Sequence, residues 1–152
     1  MSKPKRQAAE PPSQQAPRVE WQTVVIPKLV RCESRSFLTK GQYLHVSDFV
    51  CQLVGFGSRR YDPTLRIAPI EEFWELKEKG SVLGRINLRL YFAYLSDRNE
   101  VVILHAYKKE DDGATPKYVL IRVRNRLRMY LSGELSDDAT RLEYNGDDSW
   151  CP

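Results

Sequence analysis

The sequence predicts an α/β (α+β) domain, and three stretches carry that prediction. Residues 84–95 (GRINLRLYFAYL) alternate with a period of two. Residues 101–109 (VVILHAYKK) form a β-branched apolar run across a polar turn. Residues 115–131 repeat apolar side chains at helical spacing. At 152 residues the chain suits one domain with a modest core.

The elements follow in order. Residues 1–19, rich in Pro, Gln and Ala, lack the apolar core of a secretory signal and are expected to form a disordered tail. The domain is expected over 20–133 and an acidic C-terminal tail over 134–152. EWQTVVI (20–26) reads as a short strand stopped by Pro27. SDFVCQLVGF (47–56) reads as a helix with Ser47 as N-cap and Phe49, Val50, Leu53 and Val54 on one face. Residues 57–69 read as a loop. IEEFWELKEK (70–79) is ambiguous: Pro69, the glutamates and Gly80 favour a helix, whereas the alternation of Phe73, Glu75 and Lys77 against Trp74 and Leu76 favours a strand.

The strands at 84–95 and 101–109 read as a hairpin across SDRNE (96–100). With a five-residue loop Leu95 faces Val101, Tyr91 faces His105, Arg89 faces Tyr107 and Asn87 faces Lys109. Phe92 then meets Leu104 and Leu90 meets Ala106 on the core side. The other side collects Arg85, Arg89, Tyr91, His105, Tyr107 and Lys109. Like charges gathered on one sheet face cost stability, which an anionic ligand would offset. After the acidic loop EDDGA, Thr115 is expected as N-cap and Pro116 as first helical residue. Leu120, Val123, Leu127 and Leu131 form the expected core stripe, flanked by Arg122, Arg124, Arg126 and Arg128, and Gly133 ends the helix. The arginines read either as a phosphate-facing surface or as stems covering apolar surface.

Charge is unevenly spread. The net charge is +4 and the isoelectric point about 9.0. Lys and Arg outnumber Asp and Glu 19 to 12 over residues 21–132, while acids lead 6 to 1 over residues 133–152. A basic body with an anionic partner is the implication. Cys32, Cys51 and Cys151 form no CxxC pair; neither a disulfide framework nor a zinc site is expected, and a reducing cytoplasm fits best. No apolar run approaches the roughly 20 residues of a membrane helix.

In order along the chain stand FWELK (73–77), RINLRLYF (85–92), VVILHAYKK (101–109) and ATPK (114–117), then a basic amphipathic helix. This set resembles the RelE/HigB superfamily of toxins from type II toxin–antitoxin systems, in particular its phage-derived HigB-like branch. The resemblance covers residues 73–131. It implies a compact RelE-like domain: a mostly antiparallel twisted sheet of about four strands, with two to three helices on one face. It also implies that 72–78 is a strand. The function implied is a ribosome-dependent mRNA endonuclease (mRNA interferase) neutralised by a cognate antitoxin, commonly a helix-turn-helix protein. By resemblance Arg89 matches the motif arginine, Lys108 and Lys109 the lysine pair, and His105 the strand histidine. The first half of the chain, Lys77 in place of the usual arginine, the acidic loop and both tails depart from the pattern.

The chemistry needs no cofactor and no metal. A 2′-hydroxyl attacks the phosphate, one group takes its proton, another protonates the leaving 5′-oxygen, and cations steady the charge on phosphorus. Arg89, His105 and Lys109 are the candidate catalytic residues. Arg85, Tyr91, Tyr107, Lys108, Arg122 and Arg126 are candidate RNA contacts, by phosphate pairing or base stacking. Each has a plainer reading: His105 as a hydrogen-bonded structural histidine, the tyrosines as ordinary strand residues, Lys108 on the opposite face, and Glu75 as a base or as the partner of a nearby cation. Two other functions compete with the enzyme: a non-catalytic toxin or phage accessory protein binding a target such as gyrase, and an inactive remnant.

Overall fold

The computed structural model describes residues 21–56, 65–111 and 113–143. The N-terminal tail, most of the expected 57–69 loop and the end of the C-terminal tail lie outside these. The elements are β1 (Thr23–Ile26), α1 (Lys28–Arg35), α2 (Lys40–Cys51), β2 (Arg66–Ile70), β3 (Phe73–Lys79), β4 (Asn87–Leu95), β5 (Glu100–Lys108), α3 (Lys117–Leu131) and β6 (Thr140–Leu142). The sheet order is β2-β3-β4-β5-β1-β6. β1 runs parallel to β5; the other pairs are antiparallel. The α+β class thus stands, with six strands in place of the four expected. β2 falls in the expected loop and β6 in the expected acidic tail.

The helices cover both faces of the sheet, which corrects the expectation of one. Val30 of α1 and Val46 and Val50 of α2 share a core with Val24, Leu76, Leu88, Leu90, Phe92, Val101 and Ile103. Val119, Val123 and Tyr130 of α3 share a second core with Val25, Phe73, Tyr91, Ala93, Val102 and Leu104. Successive strand residues such as Val24 and Val25 therefore enter different cores, as two-sided burial requires. The stripe of α3 keeps the expected Val123 and Leu127 but shifts by one residue at each end: Val119 and Tyr130 are buried, while Leu131 is exposed. Its N-cap is Pro116 rather than Thr115. At its end Gly133, at φ 90°, lets the Glu134 N–H reach the Met129 carbonyl at 2.9 Å.

The first half departs furthest from expectation. Helix α2 begins seven residues before Ser47, which sits mid-helix and donates to the Tyr43 carbonyl at 2.9 Å. Its cap is Thr39. The Thr39 hydroxyl accepts from Gln42 N and the Gln42 side-chain oxygen Oε1 accepts from Thr39 N, a reciprocal capping box. Val50, Leu53 and Val54 are buried as expected. Helix α1 starts directly after Pro27, read from sequence only as a strand stop. Cys32 is free and exposed.

The hairpin β4–β5 has the expected pairs in its open half: Tyr91 with His105, Leu90 with Ala106 and Arg89 with Tyr107. Near the turn, Phe92 pairs with Ile103 and Leu95 with Glu100, so the loop is four residues and Leu104 is the extra residue of a β-bulge. One residue lost from the loop and one gained in the bulge cancel. Val101 and Ile103 thus enter the α1–α2 core while His105, Tyr107 and Lys109 keep the face of Arg89.

Candidate phosphate cleft

Three strands lay their side chains on the α3 face as a grid. Glu75, Tyr91 and His105 form one row; Lys77, Arg89 and Tyr107 form the next. Lys109 follows, its N–H donating to the Asn87 carbonyl at 2.8 Å. Gly80, at φ 81°, closes β3 just past this grid. The loop from Lys109 to Thr115 returns over the first row. The result is a cleft of about 260 Å³ lined by Lys77, Arg89, Lys109, Glu75, Gly113 and Thr115, with Ile70 and Ala114 at its edge.

Glu75 is the anionic centre. It is 6% exposed. Its carboxylate accepts from Tyr91 OH at 2.9 Å and Thr115 Oγ1 at 3.2 Å, and lies 3.5 Å from Arg89 Nε and 4.0 Å from Lys77 Nζ. Arg89 is buried, and its guanidinium also donates to the Asn87 side chain and the Leu88 carbonyl. The Lys109 ammonium, equally buried, donates to the carbonyls of Asp111 and Gly113 and lies 3.8 Å from the Asp111 carboxylate. Burial, and then the Glu75 carboxylate, raise the Tyr91 phenol far above its ordinary range, so it stays a neutral donor. Lys77 and Arg89 thus lie against the buried Glu75 carboxylate, and Lys109, beside the exposed Asp111 carboxylate, lines the same cleft: three cations against two acids. That excess of positive charge in a walled cleft suits a phosphate-sized anion, with Glu75 and Thr115 as groups able to take or hand on a proton.

Arg89 and Lys109 therefore meet as expected, but both are buried parts of the fold, which corrects their placement outside the core. Three other expected residues lie elsewhere or in other roles. Tyr91 holds Glu75 through its hydroxyl, is fully buried, and presents no face for base stacking. His105 is turned to Glu33 of α1: its Nδ1 stands 2.8 Å from Glu33 Oε1. Arg126 clamps the same carboxylate through two 2.8 Å bonds and donates to the Leu104 carbonyl at 3.0 Å. The Ala106 N–H donates to Glu33 at 2.9 Å. The reason is topological. β1 pairs with β5 only as far as Val102, so the outer edge of β5 beyond that point needs other partners, and Glu33 and Arg126 supply them. Burial raises the Glu33 pKa, but the bonds from His105, Arg126 and Ala106 outweigh it and hold the carboxyl at about 2. With its proton on Nδ1, His105 leaves Nε2 buried without a partner.

The remaining candidates sit on the surface. Tyr107 is half-buried beside Arg89, and its hydroxyl lies 3.3 Å from that of Tyr118. That bond, then burial, raise its pKa to about 12. Lys108 is exposed on the opposite face, opposite Leu88. Arg85 is exposed before β4, and Arg122 is exposed on α3. Lys77 and Thr115 were not among the candidates. Lys77 was signalled by the alternation through 73–77 and by standing where the resemblance has an arginine, and Thr115 by the ATPK motif.

Among the described residues no three His, Cys, Asp or Glu side chains group as a metal site, and no helix is long and apolar enough to cross a membrane. Comparison of the chain with protein-family models, curated proteins and solved structures finds no match.

Proposed function

We propose that the cleft binds the scissile phosphate of mRNA and that the protein is a metal-independent endoribonuclease, the toxin of a type II toxin–antitoxin pair of the RelE/HigB kind acting on the ribosome. The observation that carries this reading is the convergence of Lys77, Arg89 and Lys109 around Glu75 and Thr115. Arg89 presents a planar guanidinium to phosphate oxygens, and the lysines add point charges that gain strength as the phosphorus becomes dianionic. Glu75 is the group placed to take the 2′-hydroxyl proton. His105, held by Glu33, keeps the sheet edge in place instead of moving a proton. The meander β3–β4–β5 followed by α3 supports the resemblance in the residues 73–131 that carry it. The partners on this reading are mRNA on the ribosome and a cognate antitoxin, and the compartment is the cytoplasm.

Induced expression tests the reading: growth should arrest and new mRNA ends should arise within translated frames. Lys77→Ala is the informative variant, because its side chain is 42% exposed. It should retain the fold and lose on the order of 100-fold in cleavage rate. Arg89→Ala also loses activity but leaves Glu75 buried with less compensation, so its stability falls by about 3 kcal/mol. Arrest without new transcript ends, accompanied by gyrase inhibition, would replace the enzyme by a protein-binding toxin.

A further inference from the structure

A groove of about 450 Å³ lies where α1 ends and α2 begins, lined by Arg35, Leu38, Thr39, Lys40, Tyr43 and Leu44. Leu38 and Tyr43 pack on the α1–α2 core, so the groove stands on the side of the sheet away from the phosphate cleft. None of its lining residues is acidic, and Arg35 and Lys40 are exposed. The Arg35 guanidinium stands 4.6 Å from the Tyr43 ring centroid. Leu44 is 55% exposed. Thr39 spends its hydroxyl and its N–H on the cap of α2, so cations and apolar surface are what the groove presents. The chain leaves β6 near the same helical layer. Thr23 Oγ1 donates to the Glu143 carboxylate at 3.3 Å, and the neighbouring Gln22 N–H donates to the Val54 carbonyl at 2.7 Å. Val54 belongs to the short turn Gln52–Gly55 that continues α2. From the end of α2 at Cys51 the groove lies seven to eleven residues back, roughly 10–17 Å at the helical rise.

We infer that this groove is the docking site of the chain's own segment 144–152, with Trp150 against Leu38, Tyr43 and Leu44 and with Asp147 and Asp148 facing Arg35 and Lys40. The segment reads YNGDDSWCP: two acids, no base and one large aromatic. Trp150 is the seventh residue after Glu143, a reach of about 23 Å for an extended chain, which covers the distance to the groove. The tether raises the local concentration of the segment, so a contact too weak to hold two separate molecules is still populated. An indole gains by burying its apolar ring, and the groove offers a surface on which to do so. On α3, by contrast, Arg124 and Arg126 already pair with Glu71, Glu72 and Glu33. A second copy seated groove to groove would bring Arg35 and Lys40 against like charges. The inference is independent of the phosphate-binding reading, since the two surfaces lie on opposite sides of the sheet.

The test is nuclear magnetic resonance of the full chain, read through the Trp150 ring. In the parent that ring should show nuclear Overhauser contacts to the side chains of Leu38, Tyr43 and Leu44. Added salt should weaken them, because the pairing charges are exposed. Arg35→Glu combined with Lys40→Glu should abolish them. Asp147→Asn combined with Asp148→Asn should shift the amides of Leu38, Lys40 and Leu44 and leave those of Lys77, Arg89 and Lys109 in place. Contacts from Trp150 to Tyr118 and Ile121 instead would seat the segment on α3 and overturn the groove. Contacts that form only between differently labelled chains would assign the groove to the segment of a second copy and overturn docking within one chain. A Trp150 ring without contacts to any of these residues, with the amides of Leu38, Lys40 and Leu44 unmoved in the aspartate variant, overturns the docking outright and leaves the groove to another partner.

Discussion

Glu33 is the residue on which α1, β5 and α3 converge. One carboxylate satisfies the Ala106 N–H, the Arg126 guanidinium and the His105 ring. Its pKa falls from 4.5 to about 2 on folding. A carboxyl depressed in the folded state stabilises above its unfolded pKa, so this contribution is complete above pH 4.5 and drains away as pH falls toward 2. By linkage it amounts to about 3 kcal/mol. Glu33→Gln should therefore lose most of that stability at pH 7 in urea denaturation, and the gap to the parent should narrow at pH 3. Equal stability at pH 7 would mean that the edge of β5 does not depend on the charge. Arg89 and Lys109 obey the same rule as Glu33: each buried charge meets several partners, because an unmet one would cost several kcal/mol.

At the scale of elements, local chemistry and packing divide the work. Helix α2 owes its start to Thr39 and Gln42, and Gln42 also donates to the Val82 carbonyl at 3.1 Å, fixing the helix to the turn before β4. Thr39→Ala should cost about 1 kcal/mol in chemical denaturation, with the slope unchanged; an unaltered midpoint would show that packing alone places the helix. The β4–β5 hairpin depends instead on its bulge. Leu104 joins the α3 core, and the shift it introduces lets Val101 and Ile103 enter one core while His105 and Tyr107 stay with the other. Without it, parity would turn either the valine end or the lysine end of the strand to the wrong face.

Across the whole molecule the sheet is closed at one side by β6. Thr140, Arg141 and Leu142 pair with Ile26, Val25 and Val24, and Arg141 reaches Glu100 at 3.0 Å, where the Tyr130 hydroxyl also donates. This covers the edge of β1, which would otherwise offer open backbone groups to another chain. A chain ending at Ser136 should melt on the order of 5 °C below one ending at Glu143, and should self-associate in sizing chromatography. Equal melting and equal size would show β6 to be dispensable.

The sequence by itself determined the hairpin, its open-end pairs, the helix after Pro116 and the meeting of Arg89 with Lys109. Each rests on alternation or turn chemistry within a few residues. Only the tertiary structure decided what covers the polar face. Alternation reports that two faces differ, not that α3 will bury the one bearing Arg89, Tyr91 and His105. It cannot report that Glu33, 72 residues before His105, will claim that ring, since such a pair forms only when α1 is folded against the uncovered end of β5. Glu75 read as a base or as the partner of a nearby cation, but which cations it meets, and that Tyr91 and Thr115 join them, only the fold decided. Those contacts join positions up to 40 residues apart, and no local pattern records a contact made across two strands and a loop.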